Sequence, residues 1–269
     1  MPLFQFHMLV EPAFSLGSGF SISRFSFDKA LQLKLFSEQD LEHMRGARWA
    51  LVYEGDNLDS YKAQSNLVLM AFRIFSVKHP PFIKYRICVK QEENSRINQG
   101  MTYNYESPRE HAPYTLEELG VIRSAFEHLQ TMDAISNRTH NALYFLFRAF
   151  HADKWIDSFL LMTSALESLF SKDAPGGATD TIATRVASLL NSADRCTKSD
   201  VEQLYDIRSA MTHGRILASD DPGENLAKLE HLEYITNASF RKLVETAKYL
   251  CYGTKAERDV FMGTLNVAH

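Results

Sequence analysis

Cysteine is scarce in this sequence, which has only Cys88, Cys196 and Cys251 among its 269 residues. The three are widely spaced, odd in number and form no Cys-x-x-Cys pair, so we expect neither a disulfide framework nor a cysteine-rich zinc site. Long apolar runs are also lacking. The longest, from Leu67 to Phe72, is far shorter than the ~18 apolar residues of a membrane-spanning helix, so no membrane role is expected.

An excess of basic residues is lacking as well. The chain has 29 Lys and Arg against 33 Asp and Glu, for a formal net charge of -4. A protein held to nucleic acid by its overall charge is therefore not expected, and any contact with nucleic acid must be local. The first residues contain no basic stretch followed by an apolar core and a small-residue cleavage site, so they indicate no secretory leader and predict a cytoplasmic location.

From about residue 115 onward, apolar residues recur at steps of three and four, which predicts six helices. The expected starting points are a capping box at Thr115-x-x-Glu118, Ser136 or Asn137, Asp153, Thr179 or Asp180, a second capping box at Ser199-x-x-Glu202, and about residue 224, from which the sixth helix runs to about 250. Gly214 supplies a natural end for the fifth helix. Helices with such short connections predict a bundle.

The first 110 residues differ, because they are rich in aromatic and β-branched residues and are punctuated by Gly and Pro. Strands are expected at 14–27, 48–53, 82–90 and 101–105, and helices at 31–44 and 64–75. The second helix is ambiguous, since its apolar residues are nearly continuous. The polar stretch Gln91 to Gly100 and the Pro108 to Pro113 segment are the weakest places in this pattern, and the second is the better linker candidate. The sequence thus predicts an α+β protein, with a strand-rich mixed domain at 1–112 and an all-α bundle at 113–269.

Two side chains near the end of the fifth helix have the chemistry to break RNA. Arg208 is permanently charged and can bind a phosphate through two hydrogen bonds, while His213 can exchange protons near neutral pH. Because the 2'-hydroxyl of RNA is an internal nucleophile, cleavage needs only proton transfer and stabilisation of charge on the phosphate oxygens. No metal or cofactor is then required. A pair with this spacing also occurs by chance, and a histidine near a helix C-terminus is favoured by the helix dipole alone.

The spacing of the pair imposes a geometric condition. Five residues of helix rotate a side chain by about 500°, so Arg208 and His213 do not share a helical face unless the helix ends between them. Gly214 permits such an ending. Two copies of the helix across a two-fold axis would also bring the groups together.

Three blocks, in order, resemble the HEPN superfamily and within it the Apea-like branch. They are DSFLLMTSALESLF at 157–170, IATRVA at 182–187 and LYDIRSAMTHG at 204–214. The resemblance covers about the last 155 residues. It implies a dimeric helical bundle that cleaves RNA without a metal, often in toxin–antitoxin or anti-phage systems, with an antitoxin or another defence protein as partner. It further implies that Arg208 binds phosphate and His213 transfers protons. Many active members have Asn, Asp or His after the arginine, where this chain has Ser209.

Several neighbours are expected to support this pair. Glu167 lies on an otherwise apolar helix face, where a carboxylate needs a partner; it can orient Arg208 or Arg185, or form a structural ion pair. The other supporting residues are Ser209, Tyr205, Thr212 and Arg215. Tyr205 can touch substrate or lie in the core, and Arg215 can add a second phosphate contact. A non-catalytic nucleotide-binding or protein-binding dimerisation module remains the alternative function.

Overall fold

The computed structural model describes residues 14–24, 38, 49–53, 58–76, 114–172, 178–191, 196–214 and 222–266. Within these ranges it contains an antiparallel sheet of three strands, eight α-helices and one 3₁₀ helix, which agrees with the predicted α+β class. The strands are β1 Phe14–Gly17, β2 Phe20–Arg24 and β3 Trp49–Tyr53. The helices are α1 Leu58–Phe75, α2 Leu116–Ile135, α3 Asn137–Ala149, α4 Trp155–Phe170, α5 Ala178–Leu189, α6 Lys198–Thr212, α7 Pro222–Glu245, the 3₁₀ helix Lys248–Tyr252, and α8 Lys255–Thr264. None of the helices described is both long and apolar enough to cross a membrane.

The chain divides into two compact units. The first comprises residues 1–72 and 76–126, and the second comprises residues 73–75 and 127–269. The boundary predicted between residues 112 and 113 lies outside the described residues.

The sheet of the first unit has the order β1-β2-β3. The single strand expected at 14–27 is instead a hairpin, because Gly17, Ser18 and Gly19 all have positive φ and reverse the chain. Phe20 is buried in this unit, with its ring centroid 4.7 Å from that of Tyr53 and 5.7 Å from that of Phe126. The strand predicted at 48–53 is confirmed as β3. The predicted helix 31–44, apart from residue 38, and the predicted strands 82–90 and 101–105 lie outside the described residues.

The ambiguous apolar segment 64–75 is helical and belongs to α1, which begins earlier, at Leu58. Its last turn belongs to the second unit. There the Arg73 guanidinium donates to the Glu233 carboxylate from Nε at 3.1 Å and from Nη2 at 3.3 Å. Arg241 of α7 donates from Nε and Nη2 to the carbonyl oxygen of Ile74, at 3.2 and 2.6 Å. These contacts fix the end of α1 to α7.

Hydrogen bonds at the helix starts test the predicted caps. The predicted capping box of Thr115 and Glu118 is present, and so is the predicted cap at Ser136. Each consists of hydrogen bonds within one helical turn, which is why local sequence could predict it. The cap of α4 was placed wrongly: the N-cap residue is Lys154 and not Asp153, and it makes no side-chain bond to the helix.

The cap of α6 was also placed two residues too late. Thr197 accepts a hydrogen bond from the amide of Asp200, and the Asp200 carboxylate accepts one from the amide of Thr197, at 3.2 and 2.8 Å. Thr197 and Asp200 fit the same capping-box pattern as the predicted pair, Ser199 and Glu202. Because this box begins earlier, it sets the start of the helix at Lys198.

The predicted sixth helix, 224–250, is interrupted. The helix α7 ends at Glu245, Ala247 takes a left-handed conformation with φ 52°, and a 3₁₀ helix follows. The last helix, α8, was not predicted, although Thr254 caps it by accepting from the amide of Glu257. The described part of the bundle therefore has one α-helix more than the six expected.

The central element of the second unit is α4, which contacts α3, α5, α6 and α7. Its buried side chains include Phe159, Met162, Leu166, Leu169 and Phe170. A helix surrounded in this way is held rigidly, so a polar side chain on it is placed with little freedom. Glu167 is such a side chain.

Candidate active site at the end of α6

The helix α6 ends between the two predicted catalytic residues. His213 is the C-cap residue, with φ -93° and ψ 8°, and its amide donates to the carbonyl oxygen of Ser209 at 3.0 Å. Gly214 follows with φ 67°, a left-handed conformation that favours glycine, and its amide donates to the carbonyl of Met211. The ending predicted at Gly214 is confirmed. Because Arg208 to Thr212 are all helical and the His213 amide still bonds back to Ser209, the rotation of about 500° applies, and within one chain the two side chains leave different faces of the helix.

Arg208 pairs with Glu167 on the neighbouring helix α4. Its Nη2 lies 3.1 Å from Oε1 and 3.4 Å from Oε2 of the carboxylate. Of the two partners considered for Glu167, the structure thus selects Arg208. The Arg208 side chain remains 36% exposed. Its Nε and Nη1 make no hydrogen bond to any described residue, so these donors face no competing acceptor there.

Burial dominates the electrostatics of Glu167. It raises the pKa of the carboxyl above its ordinary value, and the positive charge of Arg208 opposes this by a smaller amount. The carboxylate is therefore costly to place at this position, and Arg208 offsets only part of that cost. A charge kept at a net cost is commonly found where it serves a site and not the stability of the fold.

Tyr205 is a core residue and not an exposed substrate contact. It is 3% exposed, and its hydroxyl donates to the carbonyl oxygen of Thr163 at 3.2 Å. Burial raises its pKa well above the ordinary value, and the Glu167 carboxylate raises it further. Tyr205 thus stays protonated and ties α6 to α4, close to the Glu167–Arg208 pair. This role corrects the alternative in which Tyr205 touches substrate.

The remaining predicted residues lie at the end of the same helix or beyond the described ranges. Thr212 is exposed, and its hydroxyl donates to the carbonyl of Ser209 within its own helix at 3.0 Å. Ser209 is half-buried, and its carbonyl accepts from both His213 and Thr212. The side chain of His213 is exposed and is bonded to no described residue. Arg215 lies outside the described residues.

Arg185, the other cation considered for Glu167, has a different position. It is 5% exposed, and it donates from Nε to Asn266 Oδ1 at 3.0 Å and from Nη1 to the carbonyl oxygen of Phe170 at 2.6 Å. It therefore caps the end of α4. Arg138 and Tyr252, which sequence reasoning did not consider, also donate to the last turn of α4. Their contacts join residues far apart in sequence, so no local pattern could have indicated them.

In the part of the chain that the structure describes, no group of three or more His, Cys, Asp or Glu side chains is arranged to hold a metal ion. The end of α6 presents a guanidinium and an imidazole, both accessible to solvent, and the guanidinium is paired with a partly buried carboxylate.

No family model, no curated protein and no solved structure matches the chain.

Proposed function

We propose that this chain is a metal-independent endoribonuclease of the HEPN type, with Arg208 and His213 as its catalytic residues. The observation that carries the proposal is the end of α6, where a helix terminus exposes His213 within five residues of a partly exposed arginine. Glu167 holds that arginine through one nitrogen only. The resemblance of the three sequence blocks to HEPN domains supports the same assignment.

In the proposed reaction, the 2'-oxygen of a ribose attacks the adjacent phosphorus. The new bond from the 2'-oxygen to phosphorus forms as the bond to the 5'-oxygen of the next nucleotide breaks, giving a 2',3'-cyclic phosphate and a 5'-hydroxyl. The 2'-hydroxyl loses a proton and the leaving oxygen gains one, which an imidazole such as that of His213 can transfer. Arg208 donates hydrogen bonds to the phosphate oxygens as their charge grows.

Glu167 acts on Arg208 in this scheme. A flexible arginine loses conformational freedom when it binds a phosphate, and a carboxylate that already holds Nη2 reduces that loss. The two proton transfers, from the 2'-hydroxyl and to the leaving oxygen, need a base and an acid. A homodimer that places two α6 ends across a two-fold axis would supply two copies of His213, so we propose that the active form is a dimer acting in the cytoplasm. RNA is its substrate, and an antitoxin or another defence protein is the partner that the resemblance implies.

A second candidate is a non-catalytic nucleotide- or protein-binding module. Two features favour it: the charge of Arg208 is already partly offset by Glu167, and the residue after the arginine is Ser209. In that case Arg208 would bind phosphate or a carboxylate of a partner without turnover.

The test is cleavage of total cellular RNA and tRNA by purified protein in excess EDTA. Wild type is compared with Arg208→Ala and His213→Ala, after each is shown to fold and associate as wild type does. The matched controls are Arg148→Ala and His140→Ala, which remove an exposed arginine and an exposed histidine of α3.

Cleavage that leaves cyclic phosphate ends, and that falls at least about 100-fold in both site variants but in neither control, is the expected result. Cleavage that is unchanged in the site variants would exclude the proposed site. RNA binding without cleavage, lost in Arg208→Ala alone, would support the binding module.

A further inference from the structure

The last turn of α4 has an unusual set of partners. Three of its carbonyl oxygens each accept a hydrogen bond from a side chain of a different element: Ser168 from Arg138 Nη1 of α3 at 3.0 Å, Leu169 from the Tyr252 hydroxyl of the 3₁₀ helix at 3.0 Å, and Phe170 from Arg185 Nη1 of α5 at 2.6 Å. The carbonyl of Glu167, one residue earlier, accepts from the amide of Ser171 at 3.0 Å. The final carbonyls of a helix have no partner within it, and here each one has acquired a donor.

The donors are themselves held in place. Arg185 and Tyr252 are buried, at 5% and 4% exposure, and Arg185 also donates to Asn266, just beyond α8. Arg138 donates to the Ser171 hydroxyl at 3.2 Å in addition to the Ser168 carbonyl. The end of α4 is therefore fastened to α3, α5 and the 3₁₀ helix, and Arg185 links it further to Asn266.

The arginines are brought together at an electrostatic cost. Burial lowers the pKa of Arg185, and the positive charges of Arg258 and Arg138 lower it further, while Tyr252 acts in the opposite direction. The negative end of the α4 dipole offsets part of this cost. A left-handed glycine or asparagine after the helix lets backbone amides bond to two of the last carbonyls without burying a cation. The arrangement is thus more elaborate than helix termination alone requires.

Glu167 lies in the turn that these donors hold. Its backbone is bonded to Ser171, whose hydroxyl is bonded to Arg138, and its side chain reaches Arg208 on α6. We propose that Arg138, Arg185 and Tyr252 are positioning residues, which immobilise the last turn of α4 and thereby hold the Glu167 carboxylate against Arg208. The catalytic consequence of this inference rests on the proposed ribonuclease function, but the placement of Glu167 does not.

The substitution Tyr252→Phe tests the inference, because it removes one hydroxyl and leaves the ring in the core. Its matched control is Tyr249→Phe, in the same 3₁₀ helix. Tyr249 is also buried, but its hydroxyl pairs with His128 Nδ1 at 2.8 Å and does not reach α4. Arg138→Gln is a second test at a less buried position, should Tyr252→Phe fail to fold.

Two measurements are independent of catalysis. The first is an NMR titration of the Glu167 side-chain carboxyl carbon, assigned by its loss in Glu167→Gln. The second is hydrogen exchange of the Ser171 amide. We expect Tyr252→Phe to move the Glu167 titration toward the ordinary range of a glutamate, because looser packing reduces its burial. We expect exchange at Ser171 to rise about fivefold, as for loss of one net hydrogen bond. Tyr249→Phe should match wild type in both.

Wild-type titration and exchange in both Tyr252→Phe and Arg138→Gln would overturn the inference. Equal changes in Tyr252→Phe and Tyr249→Phe would also overturn it, since they would indicate general loosening of the bundle. If the wild type cleaves RNA, Tyr252→Phe should lower kcat more than it raises KM, because the carboxylate acts on an arginine already bound to the phosphate. Absence of cleavage in the wild type would contradict the proposed function and leave the titration result to decide the positioning role.

Discussion

Replacing Glu167 by glutamine should leave the protein as stable as wild type at pH 7, or make it more stable, even though the change breaks an ion pair. Burial raises the pKa of Glu167 by more than Arg208 lowers it, so the folded protein holds the Glu167 proton to a higher pH than the unfolded chain does. The stability that this proton gives is complete below the unfolded pKa and is lost as pH rises through the folded one. At neutral pH the carboxylate is therefore a net cost, which a neutral amide avoids.

The magnitude is limited by the exposure of the pair. Arg208 and Glu167 are 36% and 28% exposed, and a single arginine nitrogen makes both contacts. Such a pair contributes no more than about 1 kcal/mol of attraction. We therefore expect Glu167→Gln to change the free energy of unfolding at pH 7 by between about 0 and +1 kcal/mol, stabilising, and expect the difference to shrink as the pH falls through the raised pKa of Glu167 and the carboxyl gains its proton.

Urea unfolding followed by circular dichroism at several pH values measures this difference. The control is Glu127→Gln, which removes the same charge from an exposed position on α2. Destabilisation of Glu167→Gln at pH 7 by more than about 1 kcal/mol, with Glu127→Gln unchanged, would refute the reasoning, because it would mean that attraction exceeds the cost of burial. In RNA cleavage the same variant should be impaired, which would make Glu167 a residue kept for activity at the expense of stability.

Three further substitutions have expected effects on the free energy of unfolding. Tyr205→Phe removes the bond to the Thr163 carbonyl and should cost about 1 kcal/mol in urea unfolding; an unchanged midpoint would mean that this bond contributes nothing. Gly214→Ala introduces a Cβ into open space at φ 67°, so it should cost about 1 kcal/mol from the backbone alone, and a cost near zero would contradict the left-handed conformation. Glu233→Gln removes the carboxylate that pairs with Arg73 at 8% exposure and should cost about 3 kcal/mol in the same assay, whereas a loss below about 1 kcal/mol would indicate that water replaces it.

Local patterns in the sequence were sufficient for most of the helices. Apolar residues at steps of three and four indicate which face of a helix is buried, and a cap such as that of Thr115 with Glu118 involves only one turn. The same locality explains the errors. Two overlapping pairs, Thr197 with Asp200 and Ser199 with Glu202, satisfy one capping pattern, and the structure forms the capping box at the first.

The break after α7 has no local signal of the usual kind, because Ala247 is neither glycine nor proline although it adopts a left-handed conformation. The start of α8 did have a signal that was overlooked, since Thr254 and Glu257 form the pattern of a capping box. Helix ends set by tertiary packing are beyond a single sequence, whereas those set by capping are not.

In the candidate site, too, some features could be predicted from local sequence and others could not. Arg208, His213 and the stop at Gly214 lie in one short segment, so their chemistry and the end of the helix could be predicted together. The choice of Arg208 over Arg185 as the partner of Glu167 could not, because it depends on how α4 and α6 pack. The hydroxyl of Tyr252 reaches Leu169 across 83 positions of sequence, a contact that no periodicity encodes.

The bonds at the end of α1 have a practical consequence for dissecting the protein. Residues 73–75 belong to the second compact unit, so that unit is not one continuous stretch of sequence. A shortened chain that began at residue 113 would retain Glu233 and Arg241 but lack Arg73 and the Ile74 carbonyl to which they bind. Fragments made for crystallisation or for activity assays should therefore begin upstream of Leu58, since a cut placed after α1 would remove part of the second unit itself.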